Sequence, residues 1–264
     1  MNALLHQILS GLATGGIYAS VALALVMIYQ ATHLVNFAQG ELAMFSTYIA
    51  WALIEAGVPY WGAFALTVVF AFVLGVVIER VIVRPVEDAP ILAIVIVFIA
   101  LLVIFNSMAG WIFTYTIKPF PSPFPTEPLF GNSYLSSHEL GSMGITLVVL
   151  LLLFVFFRFT PLGLAMRAAA QNPVSSRLVG IRVGWMLALG WGLAAAIGAI
   201  AGMMVAPVVF LEPNMMGGIL LYAFAGALLG GIDSPGGAVI GGFIVGVLVV
   251  RPSGMFGQVH VNRV

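Results

Sequence analysis

Long apolar stretches alternate with short polar ones along the whole chain. They fill residues 8–29, 42–54, 60–83, 91–113, 145–159 and 185–210, and two shorter ones occupy 219–230 and 238–250. A helix needs about 20 apolar residues to cross a bilayer, so most of these runs approach or reach spanning length. Inside hydrocarbon every backbone N–H and C=O needs an internal partner, which a helix supplies by itself. A membrane barrel would show alternating segments of about ten residues, and none is present. The pattern predicts an all-α fold, a polytopic membrane bundle of roughly seven to eight segments, some of them candidates for re-entry. Residues 1–264 read as a single transmembrane domain.

Composition removes the soluble alternative. Of 264 residues, 62% are hydrophobic and 7% charged, where a soluble domain carries about a quarter charged. Mean hydropathy is +1.16. Lipid is the only solvent this surface suits. Nine basic and nine acidic residues cancel, so no basic face points to nucleic acid. The absence of cysteine removes disulfides and thiolate chemistry. The first residues lack a basic stretch before the apolar run and show no clear cleavage site, so they read as the first span rather than a removed leader.

Arginine supplies the orientation. Arg80 and Arg84 flank the loop after the third run, and Arg158, Arg167, Arg177 and Arg182 crowd the loop after the fifth. The loop at 114–142 holds the single lysine, Lys118. The positive-inside rule places the arginine loops in the cytoplasm and 114–142 outside, with the N-terminus outside as well. The outer loop contains KPFPSPFPTEPLF, whose prolines favour an extended path. A stiff connector is the first reading of it and a docking surface the second. Gly11 and Gly15, Gly198 and Gly202, Gly226 and Gly230, and Gly242 and Gly246 have small-xxx-small spacing, which suits close helix packing within the chain or between chains.

Enzyme signatures are missing. No GxxxxGK[ST] loop, HExxH or GxSxG setting occurs, and no metal or cofactor is expected. His6, His33, His138 and His260 lie scattered near predicted ends. Polar residues between apolar runs say more, because they are costly at membrane depth. Asn36, Gln39 and Glu41 fall together in the break between the first two runs, with Glu41 opening a helix, where a carboxylate suits the dipole. That segment is either an interfacial cap or part of a translocation path or gate, to which the glycine-rich backbone at Gly15 and Gly16 is a candidate contributor. Glu79 and Arg80 read as an interfacial pair.

The loop at 160–183 is the most distinctive. It is long, amphipathic and cytoplasmic. Residues 166–170 form helix readily, Asn172-Pro173 breaks or restarts it, and Leu178 and Ile181 have the i,i+3 spacing of one helical face. An apolar face there suits either the membrane surface or a groove on a partner.

These residues resemble a known family. Arg167-Ala168-Ala169-Ala170-Gln171-Asn172-Pro173 followed by Leu178-Val179-Gly180-Ile181 is similar to the ATPase-coupling loop of ABC importer permeases of the branched-chain amino acid type, the LivH-type subunits. Asn36-Phe-Ala-Gln39-Gly-Glu41, Arg84-Pro85 with Ala89-Pro90, the segment Gly230–Gly237 and Arg251-Pro-Ser-Gly254 resemble the same family. The resemblance implies a permease that pairs with a second, LivM-like permease in the bacterial inner membrane. It implies two cytoplasmic ATPase subunits that receive residues 167–181, and a periplasmic binding protein that delivers leucine, isoleucine or valine. Relatives that move urea, amides or other amino acids keep the substrate open. A stand-alone secondary transporter or channel is the alternative class, and a non-transporting assembly factor a third.

One departure stands out. The family pattern places a span, an outer loop and a further span between the Gly-Gly-Ala-Val segment at 236–239 and the Arg-Pro-Ser-Gly tail. Here about thirty residues of that expected length are missing. Three crossings after the inner arginine loop put Arg251 and Arg263 outside, against the arginine bias. Either a span has been lost or 219–230 is re-entrant.

Overall fold

A computed structural model describes residues 2–32, 35–125 and 136–250. Among them the chain is helical almost throughout. The elements are α1 (Asn2–Thr32), α2 (Gln39–Glu55), α3 (Tyr60–Ile78), α4 (Ile91–Phe113), α5 (Ser137–Phe159), α6 (Pro161–Gln171), α7 (Pro173–Leu178), α8 (Val183–Val209), α9 (Met215–Gly230) and α10 (Pro235–Val250). Five stretches are long and apolar enough to cross a membrane: 9–30, 60–86, 91–113, 137–159 and 183–209. With the shorter α2, α9 and α10 they make the polytopic bundle that the sequence predicts.

Local signals set the ends. The apolar run at 145–159 becomes a helix beginning eight residues earlier, because Ser136 and Glu139 close a capping box. Ser136 Oγ accepts from the Glu139 N–H at 3.1 Å, and the Glu139 carboxylate accepts from the Ser136 N–H at 2.8 Å. Glu139 also accepts from Ser10 Oγ at 3.0 Å, tying the start of α5 to the first half of α1. After α3 the helix widens into a π-helical turn at Glu79–Val83 and tightens at Arg84–Val86. There the buried Glu79 carboxylate lies 3.4 Å from Arg84, while Arg80 stacks over the Trp185 ring at 3.7 Å. The expected Glu79–Arg80 pair is thus a wider knot, which joins the end of α3 to the start of α8.

That knot puts both arginine loops at one end of the bundle, as the charge bias requires. At the other end Lys118 and Leu211 exchange both backbone hydrogen bonds, at 2.9 and 3.0 Å, and the Lys118 ammonium sits 4.4 Å over Trp51. His138, expected near an end, bridges Ser122 and the Met204 carbonyl there. The arginine end is called inner and the Lys118 end outer.

α1 and α8 are the buried centre. α1 packs on α10, α8, α9 and α5, and α8 packs on α3, α1 and α2. Small residues make the contacts. A Cβ on Gly15 would stand 2.9 Å from the Phe243 Cα, and one on Gly11 2.8 Å from the Val247 Cα. Gly242 and Gly246 meet α1 backbone in return, Gly226 meets α10, and Gly202 meets Ala43 and Thr47. The small-residue pairs are therefore spent on packing within the chain. α3, α4 and α5 form the periphery, where Leu66, Ile99, Leu151 and Phe154 point outward.

The shorter helices have a geometric explanation. α2 follows non-helical backbone at 35–38 and begins against the middle of α8, so its 17 residues need only reach the outer end. α9 begins beside Asn106, seven residues short of the outer end of α4, and descends to a turn where Asp233 accepts a hydrogen bond from Gln30 of α1. α10 then rises antiparallel to α1, its last turns beside Gly11. At 219–230 the structure has a continuous helix that runs from beside Asn106 to the turn beside Gln30 and is shorter than the five spans. The non-helical break before α2 lies at 35–38, where Asn36 and Ala38 are buried and Phe37 is exposed. Arg251, Arg263 and the Arg-Pro-Ser-Gly motif lie outside the described residues, as does His33.

Candidate functional site

At the inner end α5 runs into an elbow of two short helices. Thr160 caps α6: its Oγ1 accepts from the Gly163 N–H at 3.0 Å, and Pro161 takes the first helical position, where no N–H is needed. Asn172 repeats the device for α7, its Oδ1 accepting from the Ser175 N–H at 2.9 Å with Pro173 next. The Asn172-Pro173 pair therefore ends one helix and starts another, as its residue types suggest.

α6 is anchored along one face. Gly163, Met166 and Ala169 are buried, with α6 seated against α5 and α8. Of the residues expected to couple to a partner, Ala169 is consequently unavailable, and Ala168 is half-buried. Arg167, Asn172 and Pro173 are exposed. The single helical face through Leu178 and Ile181 does not form. α7 stops at Leu178, and Gly180 adopts φ 84°, a conformation that glycine takes without strain. Leu178 is left 84% exposed, beside Val179 at 76% and Val174 at 69%. Ile181 turns instead to a shallow hollow with Ala165, Trp185 and Met186. Val174 and Val179 were not singled out in the sequence. Their apolar character inside an arginine-rich loop is the signal that marks them.

The second group of candidates divides. Asn36 and Gln39 are fully buried. Asn36 Oδ1 accepts from the Ala38 N–H at 3.0 Å and its carbonyl from the Gln39 N–H at 3.2 Å, a local turn that launches α2. The Gln39 amide donates to the Ala194 carbonyl at 2.9 Å, eleven residues or about 16 Å into α8. Gln39 therefore meets α8 near the middle of that helix rather than at its end. Glu41, also buried, accepts from Asn106 at 3.3 Å, and the same Asn106 amide reaches the Pro213 carbonyl and Asn214 Oδ1 at 3.0 and 3.2 Å. One asparagine thus ties α2, α4 and the start of α9. The sequence reading passed over it, although an Asn fifteen residues into an otherwise apolar span is the kind of costly residue that marks a contact. Gly15 and Gly16 do not join this group. They face α10 and Thr146 of α5.

No group of three or more metal-ligating side chains occurs among the described residues. The arrangement is one of interlocked helices, a buried polar tie and an exposed apolar elbow, which suits movement of parts against one another.

Residues 7–262 match the family described as "Branched-chain amino acid transport system / permease component". This chain belongs to that family. A match of this extent covers nearly every element described above, from α1 through α10. The chain is 29% identical to the high-affinity branched-chain amino acid transport system permease protein LivH of Escherichia coli K12, over 98% of this chain and 97% of the relative. It is 30% identical to the permease protein BraD of the corresponding Pseudomonas aeruginosa system, over 98% and 90%. A probable LivH permease of Methanocaldococcus jannaschii is 29% identical over 86% and 74%. The alignment with the E. coli protein runs over 302 positions, more than the 264 residues of this chain. That relative therefore carries internal residues without a counterpart here. Among solved structures, PsaBC from Streptococcus pneumoniae in complex with Fab aligns with a TM-score of 0.36 at 14% identity, over 91% of this chain and 89% of that one. The chain is a multi-pass membrane permease component of a transport system.

Proposed function

We propose that this permease carries branched-chain amino acids, leucine, isoleucine and valine, through a bacterial inner membrane as one subunit of an ATP-driven importer. The observation that carries the reading is the inner elbow. Val174, Leu178 and Val179 stand exposed on α7 and the turn after it, at the end that holds Arg158, Arg167, Arg177 and Arg182. Apolar side chains on a polar, water-facing loop call for a groove on a partner. In this reading two cytoplasmic ATPase subunits supply the grooves and hydrolyse ATP, since this chain has no phosphate loop. A second, LivM-like permease completes the path, and a periplasmic binding protein delivers the substrate. Arg167, Asn172, Pro173, Gly180 and Ile181 shape the elbow, and Leu178 with Val179 fills the groove.

The tie at Glu41, Asn106 and Asn214 links α2 and α4 to the α8–α9 turn, and α8 continues from the elbow. Closure of the ATPases would push α6 and α7, and α8 would pass the displacement to Gln39 through the Ala194 carbonyl. Gln39 and Glu41 therefore act as the gate-positioning part of the site, and Asn36 holds the turn before them. Apolar substrates ask for apolar walls and a few convergent polar groups.

Leucine uptake and ATPase co-purification test this together. Leu178→Asp with Val179→Asp leaves the fold intact, because both side chains are exposed. It is expected to abolish co-purification and uptake. Uptake that persists when the candidate ATPases are deleted would sink the importer reading in favour of a carrier working alone.

A further inference from the structure

An inner cleft of about 760 Å³ opens between α1, α5, α6 and α10. It lies apart from the Glu41–Asn106 tie and from the exposed Val174, Leu178 and Val179, and it shares Arg167 of α6 with the elbow. Its lining changes character along the membrane normal. Leu23 and Met27 of α1, Leu150, Leu153 and Phe157 of α5, and Val239 of α10 form apolar walls. Nearer the inner end the rim becomes polar, with Arg158, Arg167, Gln30, Gln171 and Asp233. From Leu150 to Arg158 the apolar part runs about 12 Å along α5, close to the depth of one leaflet's inner chain region.

The two arginines are uncommitted. Neither forms an ion pair or hydrogen bond among the described residues. Two guanidinium groups face one carboxylate, that of Asp233, so the rim is positive on balance. We propose that this cleft binds one anionic phospholipid from the inner leaflet. Its phosphodiester lies between Arg158 and Arg167, and an acyl chain lies against Leu23, Leu153 and Phe157. A guanidinium fork matches phosphate oxygens in geometry and charge. Basic pockets between membrane helices on the cytoplasmic side suit anionic head groups. The occupant would seat α6 on the transmembrane bundle, because Arg167 lies on α6 and Arg158 on α5. A lipid there couples the elbow to membrane composition.

The full-length chain in phosphatidylcholine nanodiscs doped with phosphatidylglycerol tests the proposal by native mass spectrometry. One phosphatidylglycerol per chain is expected to be retained in preference to phosphatidylcholine. Arg158→Gln is expected to lower that retention roughly fivefold, the effect of one cation near an anionic surface, and Arg158→Lys to restore most of it. Unfolding temperatures in phosphatidylcholine alone show that the variants fold, since Arg158 is exposed. Equal retention in Arg158→Gln, or no preference between the two lipids, overturns the proposal. So does inorganic phosphate stabilising the chain as well as phosphatidylglycerol does, which would make the site one for a free anion. Lipid retained by the isolated chain but lost from the assembled transporter would mean that a partner helix fills the cleft, and would overturn it as well.

Discussion

α8 and α5 are both apolar helices of spanning length, yet they sit in opposite environments. α8 is buried nearly all round, while most of α5 faces outward. Hydrophobicity does not separate them, because lipid and protein interior are equally apolar. Side-chain size does. The contact faces of α8 are built from Gly190, Gly192, Ala194, Gly198, Ala201 and Gly202, and α5 is dense with Leu, Val and Phe. Without a hydrophobic drive between helices, close backbone approach is what holds a membrane bundle together. A helix of small residues therefore belongs at the centre, and one of bulky residues at the lipid face.

Substitutions at the two kinds of surface should separate sharply. The largest effect is expected at the centre. Gly15→Leu would drive a side chain into the Phe243 backbone, which has no rotamer to give. Overpacking costs about 1–3 kcal/mol where neighbours can shift, and more is expected here, read as lost folded yield and a lower unfolding temperature. A Gly15→Leu protein of normal stability would break the comparison.

Next comes the exposed apolar surface of the inner elbow. Leu178→Asp with Val179→Asp should leave unfolding unchanged and remove ATP-driven uptake, since loss of central interface anchors costs about 2 kcal/mol or more. A fall in unfolding temperature instead would return these residues to packing.

Asn106 sharpens the rule from the other side, as a polar residue on a peripheral helix that points inward. Asn106→Leu deprives Glu41, Pro213 and Asn214 of their shared donor. A loss of about 1–3 kcal/mol is expected for unpaired buried acceptors, measured by thermal unfolding in detergent. The smallest effect belongs to the lipid face, where Leu152→Ala should stay within about 0.5 kcal/mol. Because the chain lacks cysteine, orientation is open to labelling. Ser234→Cys, in the turn beside Gln30, should react with an impermeant maleimide from the inner side, and Thr116→Cys from the outer.

Much of this architecture is readable from the chain. The apolar runs correspond to the helices, the arginine loops to one end, and Asn172-Pro173 to the break between α6 and α7. The helix bounds of the elbow are legible because helix breakers and caps act over a few residues and leave a local signature. The burial of Ala169 is not legible in the same way. Spacing along a helix says which residues share a face but not whether that face is already covered. Leu178 and Ile181 look like neighbours on a helix until Gly180, at positive φ, turns the chain between them. Asn106 was passed over because its partners, Glu41 and Asn214, lie 65 and 108 residues away.

The sequence by itself determined that this protein lives in lipid, which end holds its arginines, where its helices start and break, and to which family its motifs point. Each follows from composition or from interactions a few residues long. Tertiary structure decided which helices stand at the centre, that α9 runs unbroken from Asn106 to the turn beside Gln30, which loop residues remain exposed, and where an inner cleft opens between α1 and α5. Those outcomes depend on which surfaces meet. In a membrane, surfaces meet by shape and by rare polar ties rather than by hydrophobicity, and such fit between distant segments is not written in any local stretch of residues.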